Sequence, residues 1–178
     1  SPRSPYSASK ASSDHLVNSW HHSYQMPTLI TNCSNNFGPY QFPEKLIPVA
    51  ILKALNNESI PLYGDGKNIR DWLYVEDHVD AIMLVARKGV IGKSYCIGGF
   101  GETTNKEILR MICSSLDKFK PSRKPHSELI KLVKDRPGHD KRYSIDPKRI
   151  IQDLGWEPKV NLEKGLEITV KWYLENIE

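Results

Sequence analysis

The sequence lacks the patterns that define a disulfide-rich or metal-binding protein. Its 178 residues contain three cysteines, Cys33, Cys96 and Cys113, which are widely spaced and form no Cys-x-x-Cys pair. The six histidines form no His-x-x-x-His or His-Glu-x-x-His pair. We therefore expect three buried thiols, no disulfide framework and no metal site.

Long apolar runs are also missing, since none approaches the roughly 20 residues that a bilayer span needs. No apolar segment follows the first five residues, so we expect neither a secretory signal nor an anchor. With 39% hydrophobic and 26% charged residues, the composition is typical of a soluble cytoplasmic protein. The length fits one domain, or a part of a two-domain enzyme.

A complete Gly-x-Gly-x-x-Gly fingerprint for a dinucleotide is absent as well. The nearest match is Gly99-Phe-Gly101, where Thr104 stands in the third glycine position. We interpret this segment as a turn between a strand and a helix, with Thr104 and Glu107 forming a capping box. The sequence thus shows no evident place of its own for the pyrophosphate of NAD.

Charge is distributed unevenly along the chain, although the net charge is only +4. Residues 118–149 hold eleven Lys or Arg against four Asp or Glu, a local charge of +7, which leaves −3 for the rest. A small phosphorylated ligand would suit this region, but a solvated lysine-rich loop is an equally good interpretation. This basic region lacks interspersed aromatic residues or helices that could recognise nucleic acid, so we expect no nucleic-acid partner.

Strands that alternate with helices predict an α/β chain. An Asp-Gly turn at residues 65–66 predicts a β-hairpin between its two flanking strands. Glu76 or Asp77 is expected to cap the third predicted helix. Helices are predicted at 7–24, 45–56, 77–88, 104–118, 147–154 and 162–177, and strands at 28–33, 60–63, 68–75, 93–97 and 128–133.

Two Tyr-x-x-x-Lys pairs occur, and about 0.8 are expected by chance from the numbers of Tyr and Lys. Tyr6 and Lys10 would lie one turn apart on a helix, where an ammonium stabilises a phenolate and lets it act as a base. Tyr63 and Lys67 lie across a glycine-containing turn and cannot share a helix face. Context therefore favours Tyr6 and Lys10.

Two arginine-containing segments remain ambiguous from their residues alone. Arg136-Pro-Gly-His139 would display a bidentate guanidinium beside an imidazole, as a diphosphate site requires, but a structural corner is equally compatible with it. Arg70-Asp71 is more typical of a salt-bridged strand.

Six sequence blocks, taken together and in order, resemble the dTDP-glucose 4,6-dehydratases, a family of extended short-chain dehydrogenase/reductases. The resemblance covers essentially the whole chain but only the C-terminal half of such an enzyme. The blocks are Tyr6-Ser-Ala-Ser-Lys10, Thr31-Asn-Cys-Ser-Asn-Asn-Phe-Gly-Pro-Tyr40, Phe42-Pro-Glu-Lys-Leu46, Tyr63-Gly-Asp-Gly66, Arg70-Asp-Trp-Leu-Tyr-Val-Glu-Asp-His78 and Asp135-Arg-Pro-Gly-His-Asp140.

The resemblance implies a lyase that uses tightly bound NAD to convert dTDP-glucose into its 4-keto-6-deoxy product. Tyr6 would be the catalytic base and would also contact the cofactor, and Lys10 would assist it and bind the nicotinamide ribose. Asn36 would contact the cofactor, and Asn35 the substrate. Further substrate contacts would come from Lys45, Leu46, Pro61, Leu62, Tyr63, Arg70, Asn105, Asp135, Arg136 and His139.

The same resemblance implies an organisation in two parts. Residues 1–34 would end a Rossmann-type parallel sheet, residues 35–178 would form a smaller mixed α/β substrate domain, and residues 75–100 would pack back on the sheet. The family's glycine-rich loop and its Thr-Asp-Glu dehydration residues have no counterpart here, so we expect this chain alone to be inactive and its partner to be an N-terminal half.

Relatives of this kind pair through the helix that carries Tyr6, so the complete enzyme is expected to be a homodimer. An epimerase or decarboxylase of the same superfamily, and an inert substrate-binding module, are the alternatives.

Overall fold

The computed structural model describes residue 2, residues 4–136 and residues 138–176, and within them the chain is α/β. The α-helices are α1 (Pro5–Tyr24), α2 (Leu46–Leu55), α3 (Val75–Lys88), α4 (Asn105–Phe119), α5 (Lys148–Leu154) and α6 (Leu162–Asn176). The strands are β1 (Ile30–Cys33), β2 (Asn35–Phe37), β3 (Ile60–Tyr63), β4 (Ile69–Arg70), β5 (Trp72–Tyr74), β6 (Ser94–Ile97), β7 (Thr103–Thr104), β8 (Ile130–Val133) and β9 (Arg142–Tyr143). A 3-10 helix, His126–Leu129, precedes β8.

Parallel pairing dominates the sheets, as a β-α-β chain requires. The parallel pairs are β1 with β6, β2 with β5 and β3 with β8. Strand β4 lies between β7, which is antiparallel to it, and β9, which is parallel. The predicted α/β class is confirmed, and each predicted helix is present with ends that differ by a few residues. The last predicted helical residue, Ile177, lies outside the described part of the chain.

The predicted hairpin around residues 65–66 is wrong. Gly64 and Gly66 do have positive φ angles, 62° and 71°, so the chain turns there. Strand β3, however, pairs with β8, some seventy residues further along the chain, and β4 pairs with β7 and β9. The turn therefore carries the chain from one sheet to another.

The N-terminus of α4 is capped as the sequence predicts, whereas the N-terminus of α3 is not. The hydroxyl of Thr104 accepts from the Glu107 backbone N–H, and the Glu107 carboxylate accepts from the Thr104 backbone N–H. No side chain caps α3, whose preceding residue is Tyr74. Asp77 is instead buried and accepts from the Val160 N–H at 2.9 Å, so it attaches the segment before α6 to α3.

Two apolar clusters form the interior. One joins α2, α4 and α6 to β2, β3 and β5, with side chains such as Ile47, Leu109 and Val170 fully buried. The other joins α3 and α5 to β6, with Tyr95 and Ile97 fully buried. Strand β6 also pairs with β1, so residues 94–97 extend the sheet that β1 begins. The division at residue 34 stays a prediction.

Helix α1 contributes no buried residue to either cluster. Its apolar side chains Leu16, Trp20 and Tyr24 are all more than half exposed. The helical spacing of these residues thus indicates an apolar face, but the described residues leave that face uncovered. Among the described residues, no helix is long and apolar enough to cross a bilayer.

The thiols are less buried than the sequence suggests. Cys113 lies within the first cluster, where burial raises its pKa to about 12. Cys33 and Cys96, on the neighbouring strands β1 and β6, are half-buried. Burial is also the main cause of the raised pKa of Cys96. All three are free cysteines.

Candidate functional site

A cavity of about 680 Å³ opens where β2, β3, β4 and β5 meet the starts of α2 and α4. Ten of the residues that the sequence assigns to substrate or cofactor line it, together with four that it does not. The first group is Asn35, Asn36, Lys45, Leu46, Pro61, Tyr63, Arg70, Asn105, Arg136 and His139, and the second is Gln41, Glu44, Val49 and Trp72.

One wall of the cavity carries two guanidinium groups. Burial lowers the pKa of Arg70, the nearby charge of Arg136 lowers it further, and Asp140 opposes both effects. Arg70 also donates to its neighbour's carbonyl, Ile69 O, at 2.7 Å. The Arg136 guanidinium lies 5.5 Å from the centre of the Tyr63 ring, in cation–π contact. Two like charges held this close favour an anion between them.

His139 adds an imidazole that is already oriented. Its Nδ1 lies 2.7 Å from Oδ1 of Asp135, and the same oxygen accepts from the Arg136 N–H at 2.8 Å. The bond from His139 is the largest cause of a lowered pKa of Asp135. An ionised carboxylate only accepts, so Nδ1 must carry the proton. The Nε2 atom, buried and without a partner, is then left for a ligand.

Two of the assigned substrate residues do not line the cavity. Leu62 is 3% exposed, and its side chain packs in the first apolar cluster and against Gly66. Alternation along β3 explains this, because Pro61 and Tyr63 then face the cavity and Leu62 faces away. The Leu62 side chain thus lies outside the cavity, and its ligand contact stays a prediction. Asp135 does not line the cavity but contacts His139, and its substrate contact also stays a prediction.

Tyr6 and Lys10 do lie one turn apart on α1, but outside this cavity. Tyr6 is 74% exposed. The position of Tyr6 is indicated by its effect on Tyr143. Burial is the main cause of the raised pKa of Tyr143, and Cys33, Cys96, Tyr6 and Asp71 raise this pKa further. The Tyr143 hydroxyl donates to the carbonyl of Cys33 at the end of β1. Tyr6 is thus near the carboxyl end of β1, where β2 and the cavity begin.

Asn36 is fixed between these two regions. Its Nδ2 donates to Sγ of Cys33 at 3.2 Å and to the carbonyl of Ser34 at 3.3 Å. Its Oδ1 is buried and has no partner. An amide locked by its nitrogen presents its oxygen as an acceptor for a bound N–H or O–H group.

Gln41 and Trp72 are the lining residues that sequence reasoning missed. Gln41 lies in the polar loop after β2, and its Nε2 donates to the Asn36 carbonyl at 2.9 Å. Trp72 lies within a buried strand in register with Asn35. The Oε1 of Gln41 and the Nε1 of Trp72 are both buried and have no partner in the described part of the chain. Trp72 lies within the Arg70–His78 block, but nothing in that block singles it out, and Gln41 lies between two blocks.

A second cavity of about 690 Å³ lies elsewhere, between Asn57 and the segment that includes Arg123, Lys124 and Lys131. Its polar lining is solvated, and it contains none of the buried unpartnered atoms found among the described residues. Of these two cavities, the one beside β2 is lined by residues whose buried polar atoms have no hydrogen-bond partner among the described residues.

The α/β fold with parallel strand pairs is of the short-chain dehydrogenase/reductase type. The chain belongs to the GDP-mannose 4,6-dehydratase family, whose model matches residues 1–169.

Similar proteins point in the same direction. A dTDP-glucose 4,6-dehydratase of Xanthomonas campestris pv. campestris (strain B100) is 55% identical over 177 residues, which are 98% of this chain and 50% of that relative. The dTDP-glucose 4,6-dehydratase of Streptomyces venezuelae, solved with NAD and TYD bound, superposes with a TM-score of 0.92 at 44% identity, over 99% of this chain and 52% of that one. The chain thus spans about half the length of the curated relatives it matches.

Epimerases share the fold at lower identity. The UDP-glucose 4-epimerase of Thermotoga maritima, solved with UDP-glucose, superposes with a TM-score of 0.88 at 27% identity, over all of this chain and 56% of that structure. Identity therefore favours the dehydratases over the epimerase alternative.

Proposed function

We propose that this chain forms the substrate-binding part of a cytoplasmic, NAD-dependent dTDP-glucose 4,6-dehydratase and carries its catalytic base. The single observation that carries the proposal is the cavity in which Arg70, Arg136 and His139 converge, in a chain more than half identical to enzymes of that name. Guanidinium groups bind phosphate oxygens bidentately, so this wall suits the diphosphate of the nucleotide sugar.

The residues assigned to NAD fit it in two respects. The buried Oδ1 of Asn36 needs a donor such as a carboxamide N–H, and the exposed ammonium of Lys10 is available to a ribose hydroxyl. NAD held there would supply the hydride acceptor for C4 of the sugar and, after loss of water across C5 and C6, the hydride donor for C6. The glycine-rich loop for its pyrophosphate would belong to the part of the relatives that this chain does not match.

The chain's own residues would act on the proton and on the position of the sugar. Tyr6 would accept the proton of the C4 hydroxyl, and Lys10, one turn away, would stabilise the resulting phenolate. The Arg70, Arg136 and His139 wall would hold the diphosphate so that C4 reaches Tyr6 at the carboxyl end of β1.

Calorimetry with dTDP tests this assignment. The Arg136→Ala variant should bind dTDP about 10- to 100-fold more weakly at low salt, because a charge-assisted contact to phosphate is lost. Arg87→Ala, on the exposed face of α3, removes the same charge outside the cavity and should leave the affinity unchanged. Unaltered binding by Arg136→Ala, or no dTDP binding by the wild type, would contradict the proposal.

We also propose that the complete protein is a homodimer in which α1 contacts the second copy. The uncovered Leu16, Trp20 and Tyr24 support it, because exposed apolar faces of this kind mark interfaces. Light scattering should show association that Trp20→Asp weakens and that Phe100→Asp, at an exposed loop residue, does not. A wild type that stays monomeric at all concentrations would argue against it.

A further inference from the structure

Two side chains that line the cavity have hydrogen-bonding atoms that nothing in the described protein satisfies. The Oε1 of Gln41 accepts from no group, and the Nε1–H of Trp72 donates to none, although both atoms are buried. A buried polar atom without a partner costs about 1–3 kcal/mol, so such pairs persist where a ligand completes them.

Both side chains are held rigidly, which makes their orientation meaningful. The Nε2 of Gln41 donates to the Asn36 carbonyl, and the Gln41 carbonyl itself accepts from the Tyr173 hydroxyl of α6. Trp72 packs edge-on against Phe37 with ring centroids 6.2 Å apart. The orientations of the Gln41 amide and of the Trp72 ring are thus set by contacts within the protein.

The chemistry of the two atoms differs from that of the arginine wall. Phosphate oxygens only accept, so they would complement Trp72 but face the Gln41 oxygen unfavourably. A hydroxyl group both donates and accepts, and neighbouring sugar hydroxyls could serve Gln41 and Trp72 together. A pyrimidine base also carries donors and acceptors and is the competing occupant.

We infer that Gln41 and Trp72 form a hexose subsite that recognises sugar hydroxyls by one acceptor and one donor. The inference rests on the proposed function and adds to it two specificity-determining residues. The subsite discriminates dTDP-glucose from dTDP, whereas the arginine wall binds both.

The test compares dTDP-glucose with dTDP as titrants of the same protein. Wild type should bind dTDP-glucose more tightly than dTDP. Trp72→Phe keeps an aromatic ring in the core but removes the donor. Gln41→Met keeps the chain length but removes the whole amide, that is, the free acceptor and also the donor to the Asn36 carbonyl. Each variant should lose about 2- to 10-fold of dTDP-glucose affinity and none of its dTDP affinity.

One control variant and the pattern of affinity losses separate this inference from the broader proposal. Gln152→Met, on the exposed face of α5, should change neither affinity. Equal losses for dTDP and dTDP-glucose would place the base, or a general structural role, at Gln41 and Trp72 and overturn the hexose subsite. Normal dTDP-glucose binding by both variants would also overturn it, while a wild type that binds neither titrant would reject the proposed function itself. If Gln41→Met fails to fold, as judged by its thermal transition, Trp72→Phe decides.

Discussion

Replacing Tyr6 by phenylalanine is expected to lower kcat by about 10²- to 10⁴-fold in a protein of the relatives' full length that carries this sequence. Phenylalanine keeps the ring and the helix, so α1 is undisturbed, but it removes the atom that we propose accepts the C4 hydroxyl proton. The affinity for dTDP should hardly change, because Tyr6 lies outside the cavity that we propose for the nucleotide. Steady-state kinetics and calorimetry on the same preparation measure both quantities.

Tyr63→Phe is the matched control, since Tyr63 also precedes a lysine by four residues. Its ring lies beneath the Arg136 guanidinium and lines the cavity, so its replacement should alter binding at most. Lys10→Met should slow the reaction, because the phenolate that forms at Tyr6 loses a neighbouring cation. A near-normal kcat for Tyr6→Phe with a large loss for Tyr63→Phe would reverse the assignment of the base.

The composition of the site was largely predictable because its charged members stand in recognisable blocks. Arg70, Arg136 and His139 were ambiguous singly, and only the order of blocks along the chain assigned them to one pocket. The structure brings them into one cavity. Gln41 and Trp72 were not predictable, because an amide in a polar loop and an indole in a buried strand are common. What distinguishes them is an unpartnered atom, which is a property of the folded chain alone.

The fold was predictable where its determinants are local. The capping box at Thr104 is satisfied within four residues, so sequence spacing was sufficient. The error at Gly64 and Gly66 arose because an Asp-Gly turn is compatible with a hairpin, whereas the partner of β3 is β8. Long-range parallel pairing is set by which apolar faces are buried together, and a local turn carries no information about it.

The basic region between residues 118 and 149 has both of the meanings that the sequence allowed. Four of its eleven basic residues form exposed ion pairs with described residues, among them Lys118 with Glu167 and Arg142 with Glu102. Surface pairs of this kind contribute little to stability. Arg136 is its Lys or Arg member that lines the candidate site. The local excess of positive charge therefore indicated a segment that reaches the candidate site, although this segment contributes only one guanidinium, that of Arg136, to the cavity.

The second large effect is expected from Gly99→Ala, which should destabilise the fold by about 3 kcal/mol or more. A Cβ atom at residue 99 would lie 2.0 Å from the carbonyl oxygen of Trp72 and 2.8 Å from the Cα of Leu73. These are backbone atoms of β5, so no side-chain rotation can relieve the overlap. The loop would have to move away. The buried Asp71 carboxylate would then lose the hydrogen bonds that it accepts from the N–H groups of Gly99 and Gly101.

Thermal unfolding measures this effect, and for a chain of this size the transition should fall by roughly 6–12 °C. Gly155→Ala is the control, because its Cβ would meet no atom within 4 Å and its positive φ of 65° alone should cost about 1 kcal/mol. The displaced β5 also carries Trp72, so Gly99→Ala should weaken dTDP-glucose binding at temperatures where the protein is still folded. A variant with wild-type stability would mean that the close approach of residue 99 to β5 is not a constraint on this fold, and the rigid placement of Trp72 would then need another cause.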